Sequence, residues 1–232
     1  MQLPASTETS SWEYTKARSH YHFDNERKDL PGEWYTVLGN FPKTWTASLE
    51  SIKNNSRPMT WENRKQTMGR VNAPVSPMLE QEEYDILAGG GDPKMSLVDV
   101  VDDFAPYPEL QSIIDFFGLE QTKARIHIQK TGQVFNRHID KLDDLYPNTA
   151  PERIIRIAVM LEDWEPGQFY QYGNDMYDRW HAGDCHYFDW WNVPHATANA
   201  SNYPRYTLQI TGIRTDITDK LLSQKTFTQF KI

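Results

Sequence analysis

Cysteine is almost absent from this sequence: Cys185 is the only one in 232 residues. No intrachain disulfide can form, and nothing calls for an oxidising compartment. Long apolar runs are missing as well. The first thirty residues hold no apolar signal core, and no stretch nears the roughly 20 residues of a spanning helix. A cytoplasmic protein without a membrane partner is therefore expected. Lysine and arginine gather into no stripe, and a net charge of -8 argues against a nucleic-acid-binding surface. The glycine run Gly89-Gly90-Gly91 lacks the Gly-Lys-Ser/Thr ending that makes a phosphate loop. Internal repeats and low-complexity tracts are also missing, and the length suits one domain with a full core.

Aromatic residues, by contrast, are plentiful. Trp34, Tyr35, Trp45 and Trp61 crowd the stretch from Pro31 to Asn72, broken by turn signals at Pro31-Gly32 and Gly39-Asn40. Such a spread packs an irregular layer onto a core. His20 and His22 have the spacing of a metal pair, but no third ligand accompanies them, and they read as solvated residues of a polar arm. Three segments then look helical: Pro77 to Leu87, Ser96 to Phe104 and Pro106 to Phe117. In the last two, Leu97, Val100, Val101 and Phe104, and then Leu110, Ile113, Ile114 and Phe117, recur at helical spacing.

After Gly118 the period changes from helix to strand. Ala124, Ile126 and Ile128 alternate with Arg125, His127 and Gln129, giving one apolar and one polar face. That pattern suits a barrel with a wet interior and helices on its outside. Lys141 to Pro151 is a polar loop, suited to a mobile edge beside a site. Arg153 to Leu161 reads as a central strand. Gln168 to Tyr172, Met176 to Trp180, Cys185 to Trp191, His195 to Ala200 and Arg205 to Gly212 are short strands separated by turns. The expected fold is mainly β with flanking helices: one domain over 1–232 with a double-stranded β-helix (jelly-roll, cupin-like) core. Residues 1–122 form an irregular and helical cover, 123–213 the core, and 214–232 a closing helix or strand.

Chemistry enters with Gly132-Gln133-Val134-Phe135-Asn136-Arg137-His138-Ile139-Asp140. On extended chain, His138 and Asp140 point to one face and can converge on one ion. With a second histidine they would make the two-His, one-carboxylate face that holds ferrous iron and leaves three positions open. His181, His186 and His195 are the candidates for the third ligand. His195 is preferred, because it opens a segment whose same-face partners Thr197 and Asn199 are polar and whose opposite face is all alanine. Ten residues on, Arg205 and Thr207 share a face and make a fork plus a hydroxyl for a carboxylate.

This pattern resembles the Fe(II)- and 2-oxoglutarate-dependent oxygenases. Gly132-Gln133-x-Phe135-x-x-His138-x-Asp140 is similar to a motif of prolyl hydroxylases. The run from His195 through Asn199 and Ser201 to Pro204-Arg205 is closer to aspartyl/asparaginyl hydroxylases. Gln129 stands where prolyl hydroxylases place a tyrosine, and Arg205 where they use lysine, so prolyl specificity does not carry over. The resemblance covers about residues 123–213 and implies a dioxygenase with His138, Asp140 and His195 as metal ligands and catalytic residues. It implies Fe(II), 2-oxoglutarate and O2 as cofactor and cosubstrates, with Arg205 and Thr207 holding the keto acid. Gln129, His127 and Asn199 are further candidates around it, and together with Arg125 they are candidates to support the ligands or face the substrate. The expected reaction is hydroxylation of an amino acid, a peptide side chain or a small metabolite. A cupin-like metalloprotein without 2-oxoglutarate turnover, an isomerase or a metal-dependent binding module, is the alternative.

Overall fold

The computed structural model describes residues 34–60, 96–140, 142, 145–224 and 228–231. His20, His22, Trp61, the segment 77–87 and the glycine run lie outside the described residues. Within them, β1 is Thr36–Asn40, β2 Arg57–Thr60, β3 Ser96–Val101, β4 Glu120–Gln129 and β5 Val134–His138. They are followed by β6 (Ile154–Met160), β7 (Gln168–Tyr172), β8 (Asp175–Tyr177) and β9 (Asp184–Tyr187). The series closes with β10 (His195–Asn199), β11 (Arg205–Ile213) and β12 (Thr228–Gln229). Helices α1 (Leu49–Asn54), α2 (Pro108–Phe116) and α3 (Asp216–Leu222), with short 3-10 turns at Thr46–Ser48 and Pro151–Arg153, complete the described elements.

Two sheets carry these strands, in the orders β12-β1-β9-β6-β11-β4-β3-β2 and β5-β10-β7-β8. From β4 to β11 the chain winds between them, so that β4, β6, β9 and β11 fall in the large sheet and β5, β7, β8 and β10 in the small one. That winding is a double-stranded β-helix, as the strand pattern predicts. Every pairing within it is antiparallel. The stretch before residue 123 is more than a cover, since β1, β2 and β3 extend the large sheet at both ends.

The faces sort as the alternation requires. Ile126 and Ile128 of β4, Ile155, Ile157 and Val159 of β6, and Leu208 and Ile210 of β11 join one buried cluster with Leu110, Ile113, Ile114 and Phe117 of α2. Fully burying each such side chain contributes about 1.5–3 kcal/mol, so this outer layer is what holds the large sheet in shape. Pro108 at the first turn of α2 gives up an amide that has no helical partner anyway. Gly118, at φ +60°, ends the helix in the left-handed conformation. Thr215 and Thr218 form a reciprocal cap at the start of α3, and their hydroxyls also donate to the carbonyls of Gly118 (2.7 Å) and Phe117 (2.9 Å). The end of α2 and the start of α3 are thereby fastened together.

Three expectations need correction. Ser96–Val101 is strand β3, hydrogen-bonded to β2 and β4, and not a helix. Its Val98, Val100 and Val101 favour a pleated strand, and the edge of β4 supplies the partners that a helix would otherwise find in itself. Gly39-Asn40 lies inside β1, where the register against β9 shifts between Val37 and Gly39. The glycine there marks a bulge, which composition does not distinguish from a turn. The loop after Asp140 is anchored by buried Leu142 and Tyr146, and the Tyr146 hydroxyl donates to the carbonyl of Thr211 at 3.0 Å. Elsewhere the turn chemistry holds: Gly183 has φ +93°, and a Cβ there would meet the Phe41 carbonyl oxygen at 2.0 Å.

The second buried cluster, between the sheets, is aromatic, with Tyr170, Tyr172, Tyr177, Trp180, Phe188 and Trp190 among its members. His186 of β9 is buried against it, with Nε2 2.7 Å from the Tyr172 hydroxyl. Burial pushes the His186 pKa down to about 3, from an ordinary value of 6.5. Its folded-state pKa is depressed, so the unfolded chain binds the proton first. The stability this contributes is full above about pH 6.5 and is lost as pH falls. At pH 5 the loss is about 2 kcal/mol from this one group. Urea unfolding at pH 7 and pH 5 should show that decline, and His186→Gln should flatten it; an unchanged slope would contradict the assignment.

Candidate metal centre

The sequence brings three ligands to one place by strand pairing. His195 opens β10 and is the direct cross-strand partner of His138, the last residue of β5. The two rings lie 4.3 Å apart, centroid to centroid. Asp140 follows two residues on, on the same side. Its carboxylate oxygens are 3.7 Å from Nε2 of His138 and 3.7 Å from Nε2 of His195. All three side chains are buried, and their ligand atoms lie within 4.8 Å of one another. Among the described residues no other group of three histidine, cysteine or acidic side chains meets in this way.

This donor set fits a metal ion. Burial lowers the pKa of His195 and keeps its ring neutral, against the raising influence of Asp140. Nδ1 of His195 lies 3.2 Å from the Val193 carbonyl, which can only accept, so the neutral ring carries its proton there and leaves the Nε2 lone pair for a metal. Two imidazole nitrogens and one carboxylate suit a first-row divalent ion. The other two histidines do not join. The His181 side chain is 83% exposed in its turn, and His186 is occupied with Tyr172.

Arg156 was not anticipated. It donates from Nη1 to Oδ2 of Asp140 at 2.7 Å and from Nε to Oγ1 of Thr211 at 3.1 Å. Its signal was legible, since it is the one charged residue in the apolar run Ile154–Met160 and so must point inward. A cavity of about 310 Å³ opens beside the triad, walled by Arg156, Phe135, Tyr170, Tyr172, Phe188 and Arg205 among others. Arg125, His127, Thr197, Gln209 and Thr211 also face it. The pKa of His127 falls well below its ordinary value through burial first, then through Arg125, Arg156 and Arg205. Four described cations, Lys123, Arg125, Arg156 and Arg205, line the cavity against one described carboxylate, Asp140.

Other residues proposed for the cosubstrate are placed less directly. The Thr207 hydroxyl accepts from Tyr170 at 2.9 Å, and Thr207 does not line the cavity. Gln129 and Asn199 are not among its walls either. Asn199 donates to the carbonyls of Gln129 (2.7 Å) and Tyr203 (2.8 Å), while its Oδ1 accepts from Ser201. It organises the turn into β11. Gln129 spends its side chain on Thr197 at 3.4 Å.

No family model matches the sequence, and no curated protein matches it. Solved structures do resemble it. A prolyl-4-hydroxylase from Pseudomonas putida shares 16% identity over 81% of this chain and 96% of its own, with a TM-score of 0.44. A predicted oxalate decarboxylase from Thermotoga maritima shares 11% over 50% of this chain and 80% of its own, at 0.33. A sugar phosphate isomerase from a cupin superfamily, from Silicibacter pomeroyi, shares 13% over 51% of this chain and 60% of its own, at 0.32. Likenesses this distant say nothing about the reaction, and the barrel stands on its own strand order. No helix among the described residues is long and apolar enough to cross a membrane.

The geometry yields a graded expectation for metal binding. His195→Ala should abolish tight binding of Co(II), used as a spectroscopic stand-in for ferrous iron. Arg156→Leu leaves all three ligands in place but removes the group that orients and charge-balances Asp140, and should weaken binding about 10–100-fold. Tight, stoichiometric Co(II) binding by the His195→Ala protein would exclude this triad.

Proposed function

We propose that the protein is an Fe(II)- and 2-oxoglutarate-dependent dioxygenase that hydroxylates an amino acid, a peptide side chain or a small metabolite. His138, Asp140 and His195 would hold the metal. When bound, the iron supplies the redox chemistry that couples loss of CO2 from the keto acid to oxidation of a substrate C–H bond. The reaction balances: one oxygen atom of O2 enters the substrate as hydroxyl, and the other enters succinate.

Arg205 is the observation that carries this reading. It is 4% exposed and lines the same cavity as the triad. Its Nη1 donates to the carbonyls of Phe169 (2.9 Å) and Ala198 (3.4 Å), and its guanidinium lies 4.1 Å from the centre of the Tyr170 ring. Its Nε has no hydrogen-bond partner, and no carboxylate among the described residues pairs with it. A buried cation without an anion is costly, and a cosubstrate carboxylate would relieve that cost. Tyr170 meanwhile keeps the Thr207 hydroxyl engaged, so Thr207 would act on the keto acid through Tyr170 and Arg205.

A cupin-like metalloprotein that does not turn over 2-oxoglutarate does not need a keto-acid anchor here, which makes Arg205 the residue to test. Removing one member of a buried charge pair costs about 2–5 kcal/mol, or roughly thirty-fold to several thousand-fold in affinity. Calorimetric titration of 2-oxoglutarate into the anaerobic Fe(II) protein should show that loss in Arg205→Ala with iron still bound. Arg205→Lys should lose less, because the charge survives. Equal affinity in wild type and Arg205→Ala would remove the support for a keto-acid cosubstrate.

A further inference from the structure

The cavity carries more positive charge than one keto acid uses. Lys123, Arg125, Arg156 and Arg205 line it against the one described carboxylate, Asp140, in a chain of net charge -8. Arg156 is committed to Asp140 and Thr211. Arg205 sits at the first residue of β11, buried. Lys123 and Arg125 sit towards the other end, where they pair across β4 with Thr211 and Gln209. At the rise of a strand, those positions are roughly 14–20 Å along β11 from Arg205. One five-carbon dianion does not span that length.

The two ends also differ in character. Arg205 is enclosed, whereas Lys123 is exposed and the Arg125 side chain is 34% exposed, as befits a mouth. Nζ of Lys123 reaches the Leu145 carbonyl at 3.3 Å and lies 5.1 Å from the centre of the Tyr146 ring. No acid among the described residues pairs with it. Arg125 shares Asp102 with Arg57, at 3.8 Å against 2.5 Å for Arg57. Part of the wall is apolar, with Met59, Val98, Phe135, Leu142 and Leu145, beside the polar His127, Thr197, Gln209 and Thr211. A cavity of about 310 Å³ shared with a keto acid admits a small molecule.

We propose that the substrate is a small organic acid whose anionic headgroup, carboxylate or phosphate, is held at the mouth by Lys123 and Arg125. Its aliphatic part lies along Met59, Val98 and Phe135 and presents a C–H bond to the triad. This rests on the oxygenase reading above and narrows its substrate class. Lys123 and Arg125 bind and orient the headgroup and take no part in bond making.

The test uses the anaerobic Fe(II) protein saturated with 2-oxoglutarate and two matched probe pairs, hexanoate against hexanamide and hexyl phosphate against hexanol. The affinity of each is read by calorimetry. In at least one pair the anionic member should bind about tenfold or more tightly than its neutral twin, as a charge-assisted hydrogen bond requires. Which pair shows the larger ratio tells carboxylate from phosphate. The ratio should collapse in the Lys123→Gln/Arg125→Gln double variant, while 2-oxoglutarate affinity stays within about threefold. Lys123→Gln alone, at an exposed position, should halve the preference or more and keeps the test readable if the double variant does not fold. Equal binding of both members of both pairs, or a preference that survives the substitutions, would overturn the proposal. So would a loss of 2-oxoglutarate affinity in the variants, which would assign these cations to the cosubstrate. Failure of wild type to bind 2-oxoglutarate, read in its own titration, would instead sink the oxygenase reading and this inference with it.

Discussion

The site depends on keeping one carboxylate charged inside the barrel. Asp140 is 4% exposed, and a lone buried carboxylate would cost several kcal/mol and take up a proton. Arg156 at 2.7 Å from Oδ2 supplies the compensating charge and holds the carboxylate between the two histidines. The pair spans the two sheets, because Arg156 is on β6 of the large sheet and Asp140 follows β5 of the small one. Holding the ligand therefore also closes the sandwich at this end. Thr211 on β11 completes the arrangement by accepting from Arg156, so three segments converge on one ionic contact.

The same strands serve two purposes with opposite faces. β4, β6 and β11 turn isoleucine, valine and leucine outward under α2, and arginine, histidine, glutamine and threonine inward. The polar interior is tolerable only because its groups are engaged with each other or face the cavity. Tyr170 shows the economy of this arrangement, since its hydroxyl donates to Thr207 while its ring lies under Arg205. A ligand entering there meets cations already oriented by their neighbours.

Much of this was legible in the sequence, for physical reasons that differ by element. The period-two alternation of Lys123 to Lys130 and of His195 to Ala200 fixed which side chains share a face. It also led to the choice of His195 to join His138 and Asp140, and in the structure His195 is the cross-strand partner of His138. The segment Ser96–Val101 was misread because Leu97, Val100 and Val101 satisfy a helical spacing as well as a pleated one. Only the free edge of β4, a feature of tertiary structure, decides between them. Arg156 is marked in the sequence only by being the one charged residue of an apolar strand. Gln129 and Asn199 were read as facing a ligand, and in the structure they bond to Thr197 and to backbone carbonyls. An inward polar residue on a strand can serve either end, and the sequence carries no sign of which.

The central claim is that the triad holds a metal with open positions that a 2-oxo acid fills from the Arg205 end. Anaerobic titration of the Fe(II)-loaded protein with 2-oxoglutarate, followed by visible absorption, tests this most directly. A charge-transfer band should grow in and saturate at one equivalent, and it should be absent when His138→Ala protein is treated in the same way. A wild-type protein that binds iron stoichiometrically but shows no band and no affinity for the keto acid would contradict the account.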